Sequence, residues 1–400
     1  MERKSGERIP IRKENKSFIY IQDDFTTSMV QNQDTANAIF VDKSSKIAKK
    51  QLKNTPLGKE VLEKYTPKKD LNRKAASFME KHLSVKSVVR FETCSDYMTF
   101  LTNEGFTSKR LHRANSCGNR FCPICTWKRA KKDAIKMSVM MEAVKEIERK
   151  EFLFLTLTAP NCQAEELPYQ IDDFNKAIKK LFDRRKVKGI AKGYIRKLEV
   201  TTDQEQLITD KLYKRKSDYF DRRGLKVGDP NPQYNTYNPH VHIIIAVNKS
   251  YFNKPTEYIS QSEWLTMWQE CMGDSSITQV DVRKVRDSEK SQSNAVLEVA
   301  KYSAKGSDLY HSESVFDTFY IGLRKRQLLV YSGLFKEYAK KYENGDLDNF
   351  KKQDETVYTH LLKSLWAGSS YENKLRELTP EEFQEFNKRA LFIDEDEDVE

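Results

Sequence analysis

The stretch YNPHVHIIIAV, residues 237–247, constrains the fold more than any other part of the sequence. Its second half, IIIAV, is apolar at every position, and a short run of β-branched residues predicts a strand. A strand without a polar face has to be covered on both sides, as the central strand of a sheet is. Further predicted strands are FLFLTLTA, GYIRKLEVTT, ITQVDVRKV and RQLLVYSG, with predicted helices between them. The sequence therefore predicts an α+β fold, a five-stranded sheet with helices on one face.

Two histidines separated by one valine open this apolar run. Side chains alternate along a strand, so His240 and His242 project from the same face. Two imidazoles at this spacing can bind one divalent metal ion, and Glu199, on the predicted strand KLEVT, can add a carboxylate from a neighbouring strand. The alternatives are histidines half exposed at a strand end and a glutamate that faces solvent. A long polar insertion, residues 203–235, separates Glu199 from the histidines, so their meeting depends on how the strands pair.

A glutamate and a tyrosine lie four residues apart in AVLEVAKYSAKG. A helix places Glu298 and Tyr302 on the same face, one turn from each other. A tyrosine can act as a nucleophile on phosphorus when a metal ion polarises the phosphate, and Lys301 and Lys305 can neutralise phosphate charge. Taken alone, Tyr302 is one of 19 tyrosines. Glu298, likewise, can be a surface partner of either lysine.

Three cysteines in CGNRFCPIC follow the pattern C-x4-C-x2-C. Cys117, Cys122 and Cys125, with Cys94 upstream as the fourth ligand, would complete the tetrahedral shell of a structural zinc ion. His112 is the competing fourth ligand, and the alternative without a metal is a set of reduced, buried thiols. Basic side chains around this segment can contact phosphates or form a solvated face: Arg110, Arg113, Arg120, Lys128, Arg129, Lys131 and Lys132.

Charge and hydropathy limit the partners and the location. The 400 residues hold 70 Lys and Arg against 59 Asp and Glu, a net charge of +11 that favours a polyanionic partner such as nucleic acid. No apolar run has the form of a signal peptide or reaches the ~18 residues that cross a bilayer, so we expect a cytoplasmic protein without a membrane partner. Thiols stay reduced in the cytoplasm, which favours metal binding by clustered cysteines.

Four regions are predicted along the chain. Residues 1–87 form a polar, basic and partly flexible N-terminal region, and residues 88–150 form the cysteine-rich zinc-binding segment with a basic helix. Residues 151–335 hold the predicted strands and the candidate catalytic residues. Residues 336–400 form a helical region that ends in an acidic tail, DEDEDVE.

The order of these motifs resembles a known family. FLFLTLTAPN, KLEVT, YNPHVHIIIAVN and LEVAKYSAKGSD occur in the order found in the rolling-circle replication initiators of small Gram-positive plasmids, which belong to the HUH endonucleases. The resemblance covers roughly residues 88–340. It implies a five-stranded antiparallel sheet of ferredoxin-like or RRM-like character. It also implies a protein that starts plasmid replication by nicking one strand at the double-strand origin.

The resemblance assigns a role to each candidate residue. It implies that His240 and His242, with Glu199 as third ligand, hold a catalytic Mn²⁺ or Mg²⁺ ion. It implies that Tyr302 cuts an extruded or melted DNA strand, retains the 5′-phosphate and frees a 3′-OH. Glu298 would be the general base that activates water to end the cycle. A host helicase and a DNA polymerase are the implied protein partners, and a homodimer is one candidate assembly.

Two other functions stay open on the sequence alone. A conjugative relaxase or a single-strand transposase of the same superfamily shares the chemistry but acts on a different DNA substrate. A non-enzymatic, zinc-containing nucleic-acid-binding protein would use the same cysteines and basic residues, while its histidines merely pack. A covalent adduct between protein and DNA separates the enzymes from the binding protein, and a relaxase requires its own conjugative origin.

Overall fold

The structure is a computed structural model, and it describes residues 56–286, 289–300, 304, 306–388 and 391–392. The predictions made for Lys301, Tyr302, Lys305, residues 1–55 and the acidic tail lie outside the described residues. Within those residues, no helix is both long and apolar enough to cross a membrane.

The described chain contains both helices and strands. The helices are α1 (Pro56–Met79), α2 (Val85–Glu92), α3 (Pro123–Glu148), α4 (Leu167–Asp183), α5 (Arg185–Ile190), α6 (Asp210–Arg215), α7 (Ser217–Asp221), α8 (Gln261–Met272), α9 (Glu289–Ala300), α10 (Gly306–Leu309), α11 (Glu313–Leu323), α12 (Leu334–Glu343) and α13 (Pro380–Asn387). The strands are β1 (Tyr97–Thr102), β2 (Lys109–Ala114), β3 (Lys150–Thr158), β4 (Gly193–Asp203), β5 (Thr236–Asn248), β6 (Val280–Val285), β7 (Leu329–Gly333), β8 (Gln353–Asp354), β9 (His360–Trp366), β10 (Tyr371–Glu377) and β11 (Leu391–Phe392).

The larger sheet has five strands in the order β6-β3-β5-β4-β7, and each neighbouring pair is antiparallel. The strand with the IIIAV run, β5, lies at the centre, as its lack of a polar face requires. The prediction of an α+β fold with a five-stranded antiparallel sheet is confirmed.

Helices cover both faces of this sheet, so the expectation of helices on one face is wrong. One face contributes Phe154 and Ile244 to a core shared with α3, α9 and α12. The opposite face contributes Leu155 and Ile243 to a core shared with α4, α8 and α11. The reason is the composition of the central strands, which are apolar at successive positions and would lose stability if either face met water.

Strands β4 and β5 form one long hairpin, and the polar insertion at residues 203–235 is its connection. Strand pairing continues to Asp203, the last residue of β4. Beyond it, α6 and α7 enclose a small core of Ile208, Leu212 and Phe220. The insertion therefore lies outside the sheet and leaves the pairing of the two strands unchanged.

A second sheet of four strands joins segments that are far apart in sequence. Its order is β10-β9-β1-β2, with each pair antiparallel, so β1 pairs with β9. Residues 336–400 were predicted to be helical, but β9 and β10 lie between α12 and α13. The local sequence of β9 is short and partly polar. What makes it a strand is pairing with β1, which buries Leu362 and Ser364.

The region predicted as polar and partly flexible, residues 1–87, contains the helix α1. Its side chains Tyr65, Ala75 and Met79 are buried in the larger core together with the cysteine-bearing segment. The helix also buries a charged side chain, because Lys69, an ordinarily exposed residue type, is only 1% exposed here.

Candidate functional site

Three candidate metal ligands meet on neighbouring strands of the five-stranded sheet. In the register of β4 with β5, Glu199 lies opposite His240, and Lys197 lies opposite His242. Residues directly opposite each other in an antiparallel pair share a face, so all four side chains project to the same side. This is the face that α3, α9 and α12 cover.

The ligand atoms of this Glu/His/His group converge on one point. Glu199 Oε2 lies 3.2 Å from His240 Nε2 and 3.1 Å from His242 Nε2. All three ligand atoms lie within 4.8 Å of one another. Glu199 and His242 are buried, whereas His240 is partly exposed. The group is therefore placed to hold a metal ion at the edge of the core.

Each histidine is oriented through its other ring nitrogen. His240 Nδ1 lies 3.3 Å from the backbone oxygen of Asn238, and His242 Nδ1 lies 3.2 Å from Thr156 Oγ1. A proton on Nδ1 that is donated to these oxygens leaves the Nε2 lone pair free for a metal ion. The sequence interpretation missed Thr156, because its contact with His242 depends on the register in which β3 pairs with β5.

Glu199 is held in its ionised form. Burial alone would raise its pKa, but hydrogen bonds and charge from His240 and His242 outweigh burial and keep the pKa below the usual glutamate value. A metal-binding carboxylate has to be ionised. Two imidazole nitrogens and one carboxylate oxygen suit a divalent ion and leave coordination positions open for substrate oxygens. The donor set therefore fits a catalytic metal ion.

Glu298 reaches this site from α9. Its Oε1 lies 3.9 Å from His242 Nδ1, and its Oε2 accepts a hydrogen bond from Arg283 at 2.5 Å. In the described part of the chain the ion-pair partner of Glu298 is thus Arg283 on β6, which the sequence interpretation missed. The two partners that the sequence offered, Lys301 and Lys305, lie outside the described residues, as does the candidate nucleophile Tyr302.

The second group of candidate ligands consists of four thiols. The Sγ atoms of Cys94, Cys117, Cys122 and Cys125 all lie within 4.8 Å of one another. His112, the competing fourth ligand, lies on β2 against the ring of Phe386, and the ligand group found among the described residues does not include it. We call this group the four-cysteine cluster. It could form a zinc site.

Local backbone structure brings the thiols of the four-cysteine cluster together. Gly118 has a φ of +69°, in the left-handed region that glycine tolerates, so the chain can turn directly after Cys117. Cys122 is the N-cap of α3 and Pro123 follows at the first helical position, which places Cys125 in the first turn. Hydrogen bonds from Cys117 and Cys122 lower the pKa of Cys125, and a helix N-terminus favours the thiolate as well.

Helix α1 supports the four-cysteine cluster from outside. Asn72 Nδ2 donates to Cys122 Sγ at 3.4 Å, and the buried Lys69 donates to the backbone oxygen of Cys94 at 3.1 Å. Lys128 on α3 is half-buried near the thiols, and burial lowers its pKa. Such groups around the sulfur atoms orient the ligands and offset the negative charge of four thiolates.

Removal of one thiol from the four-cysteine cluster tests its metal. We expect Cys125→Ser to lower bound zinc from about one ion per chain to a small fraction, and to lower the free energy of unfolding, because closed zinc sites contribute folding energy. Elemental analysis and thermal unfolding of the purified chain measure both effects. The matched control is Cys271→Ser, a buried cysteine outside the cluster, which should keep its zinc. A zinc-free wild-type protein that is fully folded would contradict the assignment.

The fold and the site together define a class: an α+β protein in which two histidines and a carboxylate on an antiparallel sheet could hold a metal ion, with a four-cysteine cluster in addition. Comparison with known proteins gives the family. The family described as "Replication protein" matches residues 108–369. The chain belongs to this family, the rolling-circle replication initiators of Gram-positive plasmids. The resemblance noted from the motifs is thereby confirmed.

Individual relatives agree with this assignment. A protein of Staphylococcus aureus named "Protein rep" is 40% identical over 253 residues, which are 63% of this chain and 97% of that protein. A "Protein rep" of Streptococcus pneumoniae serotype 2 is 35% identical over 268 residues, 65% of this chain and 75% of the relative. A "Protein rep" of Bacillus amyloliquefaciens is 29% identical over 298 residues, 68% of this chain and 79% of the relative. No solved structure matches the chain.

Proposed function

We propose that this replication initiator is a metal-dependent, site-specific endonuclease and strand transferase of the HUH type. Its substrate is single-stranded DNA, extruded or melted at the plasmid double-strand origin. The observation that carries the proposal is the convergence of Glu199, His240 and His242 on one face of the sheet, with Glu298 beside them. A phosphodiester is the substrate that a replication protein with such a site would cut.

Tyr302 is the proposed nucleophile. Its phenolic oxygen forms a bond to the scissile phosphorus and loses its proton to solvent, while the bond from phosphorus to the 3′ oxygen breaks and that oxygen takes up a proton. The products are a 5′-phosphotyrosine and a free 3′-OH from which DNA synthesis starts. When bound, Mn²⁺ or Mg²⁺ at the Glu/His/His group supplies Lewis-acid polarisation of the phosphate. Glu199, His240 and His242 hold the site in place on two paired strands.

Glu298 is the proposed general base of the last step. It takes a proton from water, the water oxygen forms a bond to phosphorus, and the bond from phosphorus to Tyr302 breaks as the phenol regains its proton. The ion pair with Arg283 and the proximity to His242 support this role, because they hold the carboxylate next to the Glu/His/His group. Glu298 also precedes Tyr302 by only four residues in the sequence.

Further partners and metals follow from this scheme. The free 3′-OH requires a host DNA polymerase, and strand displacement requires a helicase. We propose Zn²⁺ for the four-cysteine cluster, where four thiolates form a closed shell. A homodimer and the domain limits at residues 88, 151 and 336 stay predictions.

The test of the proposed function is a covalent adduct. The wild-type chain is incubated with a single-stranded oligonucleotide that carries the origin sequence and with Mn²⁺, and the mixture is separated by electrophoresis in SDS. We expect an SDS-resistant band that contains both protein and DNA. The absence of the band at every divalent metal tested would refute the nicking mechanism.

Glu298→Gln should separate the first step from the last. Glutamine keeps the volume and a hydrogen-bonding oxygen but cannot accept a proton at neutral pH, so adduct formation should survive. Release of the adduct by water should slow by about 10²-fold or more, the usual contribution of a general base. A time course of adduct formation and decay measures both rates. The control is Glu270→Gln, which changes an exposed ion pair with Arg184. Decay at the wild-type rate in Glu298→Gln would end the general-base assignment.

A further inference from the structure

A cavity of about 710 Å³ lies between the cysteine-bearing segment and the five-stranded sheet. Its volume falls within the range of about 300–1,000 Å³ that is usual for small-molecule sites. Arg129 and Asp133 line it from α3, and Lys197 lines it from β4. Ala300 and Ala304, which flank the position of Tyr302 in the sequence, line another wall. The cavity therefore adjoins both the sheet and the C-terminal end of α9.

Lys197 is the charged group on the sheet side of the cavity. It is 8% exposed, lies opposite His242 in the strand register and precedes Glu199 by two residues, so it shares their face. Of the residues that the structure describes, none forms a hydrogen bond or ion pair with its ammonium group; Asp133 and Glu199 attract it only from a distance. A buried cation without a partner is costly. An anionic ligand bound to the ammonium group of Lys197 would offset this cost.

The remaining charges of the cavity also favour an anion. Its cationic lining residues are Lys68, Arg120, Arg129, Lys197 and Arg326, against the single carboxylate of Asp133. Two of these cations have structural duties. Arg120 donates to the backbone oxygens of Leu323 and Arg326, and Arg326 pairs with Asp172 at 2.8 Å. Arg129, by contrast, is exposed, with a hydrogen bond to the Gly118 oxygen at 3.2 Å, and is placed to reach a ligand together with Lys197.

Apolar side chains form much of the remaining lining, among them Leu71, Leu328 and Leu329. A cavity that joins a cationic floor to an apolar wall matches a nucleotide, whose phosphate is anionic and whose base has an apolar face. A DNA strand bound at the Glu/His/His group could extend into this cavity, because Lys197 lies on the same face of the sheet as Glu199 and only two residues from it along β4.

We propose that this cavity binds one nucleotide of the single-stranded DNA substrate, with the phosphate next to the scissile one held by Lys197 and Arg129. The identity of the strand rests on the proposed function. The consequence is that α3, together with Gly118 and Arg120 from the segment between the cysteines, forms part of the DNA-binding site in addition to stabilising the fold. Neither Lys197 nor this cavity was singled out from the sequence.

The test is DNA binding without chemistry. Binding of a fluorescent single-stranded oligonucleotide to the full chain is measured by anisotropy over a series of salt concentrations, with no divalent metal added. We expect Lys197→Met to raise Kd about tenfold, the loss of one charge-assisted hydrogen bond. The slope of log Kd against log salt should fall by about 0.7, the value for one phosphate contact on a single strand. Arg129→Gln should change both quantities in the same direction.

The control is Lys188→Met, an exposed lysine on α5, which should leave affinity and salt slope unchanged. Zinc content and thermal unfolding are measured for every variant. If Lys197→Met does not fold, the result for Arg129→Gln alone tests whether the cavity binds DNA. Wild-type affinity and slope in Arg129→Gln and in folded Lys197→Met would overturn the inference. If both variants lose affinity and slope while the wild type forms no adduct with Mn²⁺, the cavity assignment stands and the nicking mechanism fails.

Discussion

Replacing His242 with alanine should lower the nicking rate of single-stranded origin DNA in Mn²⁺ or Mg²⁺ by more than about 10²-fold. Loss of a residue that merely orients a metal ligand costs about 10–100-fold in affinity or activity, and His242 is proposed to be a ligand itself. Its Nε2 lies 3.1 Å from Glu199 Oε2 at the centre of the Glu/His/His group. Binding of duplex DNA should stay nearly intact, because the basic residues proposed to contact phosphates are separate from the metal ligands.

Two quantities are measured for each variant: the nicking rate, and the affinity for Mn²⁺ by calorimetric titration. The titration reports metal binding independently of activity. His242 is buried, so His240→Ala, at the partly exposed edge of the group, is the second variant and should show the same loss. The matched control is His360→Ala, since His360 lies on β9 of the other sheet. Nicking near the wild-type rate in both metal-ligand variants would refute the metal site.

Tyr302→Phe should eliminate the covalent adduct and the initial nick. The substitution removes one oxygen atom, the proposed nucleophile, and keeps the ring, so the metal ligands and the DNA contacts remain. We expect no detectable adduct with Tyr302→Phe. The experiment uses two labelled oligonucleotides. With the wild-type chain, a label on the 3′ side of the nick should enter the protein band. A label on the 5′ side should mark a fragment whose 3′-OH a polymerase can extend.

The matched control for the nucleophile is Tyr258→Phe. Tyr258 is 50% exposed, and it does not belong to any strand of the sheet that carries the Glu/His/His group. It should form the adduct at the wild-type rate. Equal first-strand cleavage by Tyr302→Phe and the wild type would show that another group attacks the phosphorus. Transfer of the label on the 5′ side to the protein would instead reverse the proposed polarity of the nick.

The parts of the site that the sequence predicted are those with local spacing. His240 and His242 share a face because they are two residues apart on a strand, and strand alternation holds in any sheet. The C-x4-C-x2-C pattern is also local, since a turn at Gly118 and the start of α3 bring the thiols together. Such features depend on neighbouring residues alone.

The residues that were missed depend on strand register and tertiary packing. Thr156 and Lys197 face the histidines only because β3 and β4 flank β5 in one particular alignment. Arg283 reaches Glu298 because β6 lies at the edge of the sheet under α9. Glu199 could be proposed from the sequence, but the insertion before β5 hid its pairing with His240. A one-residue shift in register would turn its carboxylate to the opposite face.

The four-stranded sheet has a consequence for the order in which the molecule is made. Strand β1 is synthesised early, whereas its partner β9 follows the whole five-stranded sheet along the chain. During translation, one side of β1 therefore has no strand to pair with, and unpaired strand edges promote aggregation in slow-folding chains. The closing of this sheet is a late event that joins a segment before the five-stranded sheet to a segment after it. Premature termination before β9 would leave β1 with an unpaired edge in the part of the chain that carries the four-cysteine cluster.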